Sequence, residues 1–114
     1  MIPKDGEFTP RELEAFAAVM THGTTTKAAD ALNITQPAVS KMLAHLTNKA
    51  GFPLFRNYRQ RLIPTPEAHM LYAEVDRVFE SVRGISSAAR EIKALRSGRL
   101  NVSALPAFGL TLLP

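Results

Sequence analysis

The chain has no cysteine among its 114 residues. That excludes a disulfide framework, a Cys-based zinc finger and a thiol nucleophile, and it fits a reducing cytoplasm. No apolar run approaches the ~20 residues of a membrane span. The opening MIPKDGEFTPRE carries no apolar core of a signal peptide. A Gly-rich phosphate loop is absent, and His22, His45 and His69 stand far apart without metal-ligand spacing. Ser40 shows no base partner in the sequence. These absences argue against an enzyme and against a membrane protein. They leave no catalytic or metal residue to name and no cofactor for the chain itself.

Acidic residues are missing from one particular stretch. Between Ala31 and Pro66 there is no Asp or Glu, while Lys41, Lys49, Arg56, Arg59 and Arg61 all fall inside it. The overall net charge is only +4, from 14 Lys and Arg against 10 Asp and Glu. The distribution therefore says more than the total: a one-signed segment favours a polyanionic partner. With 46% hydrophobic residues the chain is globular, and its length suits one small domain and little more.

Local signals predict an orderly series of helices. Thr9-Pro10-Arg11-Glu12 reads as a capping box that opens helix one, and Leu13, Phe16, Ala17 and Met20 follow as an apolar stripe. His22-Gly23 closes it. In the run Thr24-Thr25-Thr26 the reading places the cap of helix two at Thr26, with Lys27 to Leu32 as the helix. Ala28 and Ala29 are small enough for two helix backbones to approach, and Asn33 suits the left-handed turn that ends the helix. Thr35 caps helix three, Pro37 sits in its first turn, and the helix runs to about Gly51. Val39, Met42, Leu43 and Leu46 form its buried face, leaving Gln36, Ser40, Lys41, Ala44 and His45 on the other sides.

Leu54-Phe55-Arg56 and Arg61-Leu62-Ile63, separated by Asn57-Tyr58-Arg59-Gln60, read as a small hairpin, a wing. A long helix opens at Thr65-Pro66-Glu67. Its apolar residues Ala68, Leu71, Val75, Val78, Val82, Ile85, Ala89 and Ile92 alternate gaps of three and four, a heptad seam. At about 1.5 Å per residue it spans roughly 45 Å, more than its own small domain can cover, so a second copy of the same helix is the expected partner. Ser97-Gly98 breaks the helix, and Leu100 to Ala104 reads as a strand.

The expected fold is mainly α: a winged helix-turn-helix, with a three-helix core and a small β-hairpin wing, followed by a long dimerisation linker helix. The expected divisions are 1–64 for the DNA-binding domain, 65–97 for the linker helix, and 98–114 for a hinge and the first strand of a truncated second domain. A helix of this kind enters the major groove of double-stranded DNA. A Gln near its start suits the two-pronged edge of adenine. Ser40 and the caps Thr26 and Thr35 suit phosphate oxygens, and Lys41 a phosphate or a guanine. Arg56, Arg59 and Arg61 suit the backbone or a neighbouring minor groove. The plainer alternative makes Gln36, Ser40 and Lys41 ordinary solvated residues.

These residues, from Leu13-Glu14-Ala15-Phe16 through Ala28-Ala29, Leu32 and Thr35-Gln36-Pro37-Ala38-Val39-Ser40 to Leu46, Gly51 and Leu54-Phe55, resemble the LysR-type transcriptional regulators. Ile63-Pro64-Thr65-Pro66-Glu67-Ala68, Glu74 to Phe79 and Leu105-Pro106-Ala107 look like the subgroup that regulates octopine and nopaline catabolism. The resemblance implies that Gln36, Pro37, Ser40 and Lys41 face the major groove. It implies antiparallel dimerisation along Leu71, Val75, Val78, Val82, Ile85, Ala89 and Ile92, and a parent that is commonly a tetramer. It also implies an absent C-terminal domain that binds a small-molecule effector. The chain departs from the family at Asn57, where the wing usually has Arg, and at Thr47, where Glu is usual. Two rival readings remain: a helix-turn-helix retained as a protein-interaction scaffold, and a self-contained nucleoid or antitoxin protein.

Overall fold

Short-range hydrogen bonding starts and stops each of the first three helices at a defined residue. The computed structural model describes residues 6–98, in the order α1 (Pro10–His22), α2 (Thr25–Leu32), α3 (Gln36–Ala50), β1 (Phe55–Tyr58), β2 (Arg61–Pro64) and α4 (Pro66–Arg96). The strand expected at Leu100 to Ala104 lies outside these residues. The described residues fall into two units, divided after Asp76.

The capping box of α1 is complete. The Glu12 amide donates to Thr9 Oγ1 at 3.2 Å, and the Thr9 amide donates to Glu12 Oε1 at 2.8 Å. Gly23, at φ 84°, ends the helix with its amide on the Val19 carbonyl. The core face of α1 differs from the expected stripe. Ala15, Phe16, Ala18 and Val19 are buried, whereas Leu13, Ala17 and Met20 are only half-buried. The face is rotated because α1 packs against both α2 and α3 and must present a broader arc than one stripe.

The cap of α2 is Thr24, not Thr26. The Thr24 Oγ1 accepts the Lys27 amide at 3.1 Å, so Thr25 and Thr26 are the first two residues of the helix. In a run of three threonines the cap is decided by which residue leaves the helix dihedrals; Thr24 does, at φ −138° and ψ 155°. At the other end Asn33 takes the left-handed conformation, φ 59° and ψ 42°. Its amide bonds to the Asp30 carbonyl and the Ile34 amide to the Ala29 carbonyl, the paired bonds of a Schellman motif. This turn sets the angle between α2 and α3.

Thr35 caps α3, accepting the Ala38 amide at 3.4 Å, and Gly51 at φ 80° ends the helix. Val39, Leu43 and Leu46 are buried; Met42 is half-buried. Ala28 and Ala29, 0% and 3% exposed, let α2 sit close to its neighbours. Phe16, Val19, Val39, Leu46 and Leu54 are the largest fully buried side chains. Each contributes about 1.5–3 kcal/mol by leaving water. Phe16 also meets Phe55 of the wing at 5.9 Å and Tyr72 of α4 at 6.2 Å between ring centroids.

The hairpin pairs Phe55 with Pro64, Arg56 with Ile63, Asn57 with Leu62 and Tyr58 with Arg61. Its turn is two residues, not the expected four. Both Arg59 and Gln60 have positive φ, 49° and 64°. That is the backbone pattern of a tight primed turn, whose twist matches the strands.

Thr65 joins wing to helix. It is 3% exposed, its hydroxyl donates to the Pro53 carbonyl at 2.8 Å, and the same oxygen accepts the Ala68 amide at 3.1 Å. One side chain thus caps α4 and holds the strand's entry. Along α4, Ala68 and Val75 are buried and Leu71 is half-buried. Val75, expected in the dimer seam, is 3% exposed within the single chain. Among the described residues no helix is long and apolar enough to cross a membrane.

Candidate nucleic-acid interface

The start of α3 turns one side to solvent while Val39 is buried on the other. Thr35, Gln36, Pro37 and Lys41 are exposed, and Ser40 is half-buried. Gln36 is not a loose side chain. Its Nε2 donates to Ser40 Oγ one turn along at 2.8 Å and to Thr25 Oγ1 at the start of α2 at 3.0 Å. Two helix starts are thereby joined by one amide. Thr25 has no place in the sequence-based set of site residues. The signal was in the Thr24-Thr25-Thr26 run: moving the cap to Thr24 brings Thr25 into the helix. Thr26, expected as the cap, is instead an exposed residue in the first turn of α2.

The wing places its three arginines differently. The pairing puts Arg56, Tyr58, Arg61 and Ile63 on one face, and all four are exposed. Arg59 lies at the tip, with its guanidinium 5.3 Å from the centroid of the Tyr58 ring. Arg61 lies against the end of α1. A Cβ added at Gly23 would stand 2.8 Å from Arg61 Nη2, and the Leu62 amide donates to the Gly23 carbonyl at 2.9 Å. The wing is thus tied to the α1–α2 corner.

Behind α3 lies an ion pair that sequence reading missed. Lys49 Nζ donates to both oxygens of Glu12, at 2.8 and 3.0 Å, and to the Glu7 carbonyl at 2.9 Å. His45 Nδ1 stands 3.9 Å from the same carboxylate. Burial pushes the Glu12 carboxyl up, but its bonds to Lys49 and Thr9 more than offset this, so it titrates below its ordinary 4.5. The cluster braces the C-terminal half of α3 against the start of α1. No group of three His, Asp or Glu residues suited to a metal occurs among the described residues.

Three packed helices with a hairpin after the third define a winged helix-turn-helix, the fold of a DNA-binding domain. Residues 10–69 match the model of the bacterial regulatory helix-turn-helix proteins of the LysR family, and the chain belongs to that family. It is 45% identical over 104 residues to the transcriptional regulator DgcR of a Pseudoalteromonas species, covering 91% of this chain and 36% of that protein. It is 38% identical to the octopine catabolism/uptake operon regulatory protein OccR of Rhizobium meliloti, covering 91% and 35%. The chain therefore spans about a third of the length of the curated relatives it matches. The DNA-binding domain of BenM, solved on its benA site 1 DNA, matches with a TM-score of 0.65 and 32% identity over 72% of this chain and 95% of that one.

Proposed function

We propose that this chain is the operator-reading part of a bacterial transcriptional regulator that binds double-stranded DNA as a homodimer. The observation that carries the reading is the exposed start of α3. Gln36 stands in its first turn with the half-buried Ser40 and the exposed Lys41 one turn on, in a fold shared with a domain solved on DNA. Gln36 reads a base edge; Ser40, Lys41, Thr35 and Thr26 position the helix on the phosphates, and Pro37 fits the groove wall. Arg56, Arg59 and Arg61 extend the footprint from the wing.

Residues 1–64 read DNA, 65–97 form the linker helix, and 98–114 open a further domain. Val78, Val82 and Ile85 are 52%, 54% and 70% exposed, which supports a helix that is covered by a second copy. Ala89, Ile92 and the half-buried Leu71 complete that face. Two linked reading heads suit an interrupted palindrome. Its relatives are about three times as long, so the whole protein carries an effector domain for a small molecule, of the opine or amino-acid class. It works in the cytoplasm by binding and release, with no reaction of its own.

A salt-titrated selection from a genomic DNA library tests this. Enrichment of a dyad-symmetric site, with log affinity falling steeply against log salt, is the expected result. A folded chain with no DNA affinity at low salt would establish the scaffold reading instead.

A further inference from the structure

We propose that Thr25 sets which base Gln36 reads, by holding its amide so that only the carbonyl end faces the groove. This rests on the reading of α3 as the DNA-reading helix. A carboxamide carries two N–H donors and one oxygen acceptor. Both donors of Gln36 are engaged inside the protein, one by Thr25 Oγ1 at 3.0 Å and one by Ser40 Oγ at 2.8 Å. The two-pronged pairing with adenine, expected of an unrestrained Gln, needs a free N–H for N7 as well as the oxygen for the N6 amine. Here the oxygen alone remains.

An acceptor alone selects a base that offers a donor in the major groove. Adenine N6 and cytosine N4 do so; guanine and thymine present only acceptors there. Thr25 is therefore a positioning residue. It touches no base, but it makes Gln36 accept either amine-bearing base on the strand it faces. Because the bonds already exist in the free protein, ordering the side chain costs little on binding.

The test is selection from a randomised duplex library by the full chain and its Thr25→Val, Thr25→Ser and Gln36→Ala variants. Gln36→Ala marks the position, as the one in each half-site where discrimination is lost. There the unaltered chain should enrich adenine and cytosine over guanine and thymine. Thr25→Val frees one N–H for adenine N7, so the adenine-to-cytosine ratio should rise at least about fivefold, the low end of a two-pronged contact. Thr25→Ser keeps the hydroxyl and should keep the unaltered profile.

An unchanged ratio in Thr25→Val overturns the inference, as does a preference for guanine or thymine, or a Gln36→Ala that alters no position. If those failures come with clear enrichment of an operator, the regulator reading stands and only the role of Thr25 falls. Enrichment of no sequence at all overturns both.

Discussion

Lys49, in the last turn of α3, closes on both carboxylate oxygens of Glu12, in the first turn of α1. The Glu12 side chain is 6% exposed and also completes the Thr9 capping box. The start of α1 and the end of α3 are therefore held by a single carboxylate. Replacing Lys49 with Met should cost about 1.5–3 kcal/mol, the range for hydrogen bonds to a charged group, as read by urea denaturation.

The same pair makes stability depend on pH. The folded pKa of Glu12 is lowered, so the unfolded chain binds its proton more readily. The stabilisation is fully present above the ordinary value of 4.5 and is lost as pH falls through the depressed folded value. Glu12→Gln should flatten the melting temperature against pH in that acidic window. A slope equal to that of the unaltered chain would mean that other carboxylates dominate.

Thr65 is buried with its hydroxyl committed at both ends, to the Pro53 carbonyl and from the Ala68 amide. Thr65→Val keeps the shape and removes both bonds, which should cost about 1–3 kcal/mol. Thr65→Ser keeps the hydroxyl and should recover most of that loss in the same thermal melt.

Val82 and Ile85 carry the exposed apolar face of α4. Val82→Asp places a charge at the proposed seam, where burying it unpaired is costly. Sedimentation should show a shift from dimer to monomer, with the helical circular dichroism of α1–α3 retained. A variant that remains dimeric at the same concentrations would take this face out of the interface.

Arg59 sits at the hairpin tip in a conformation that costs a non-glycine residue about 1–3 kcal/mol. Arg59→Ala should weaken specific and nonspecific DNA binding alike, and reduce the slope of log affinity against log salt by about one contact. An unchanged slope would remove Arg59 from the phosphate contacts and leave Arg56 and Arg61 as the basic residues of the wing.

Sequence by itself determined the elements and most of their ends. Caps at Thr9, Thr35 and Thr65, and left-handed stops at Gly23, Asn33 and Gly51, rest on bonds or dihedrals within a few residues, so they are legible where they are written. Gln36 and Lys41 were legible as exposed, and Ser40 as lying off the buried stripe, for the same reason: helical spacing alone separates them from Val39, Leu43 and Leu46. Tertiary structure decided the rest. The Thr25 bond to Gln36 spans 11 positions and the Lys49 bond to Glu12 spans 37, and no local pattern encodes either. The heptad rule gave Val75 and Val82 the same standing. Only packing buried the first and left the second exposed, since a helix presents its stripe without saying which part its own domain will cover.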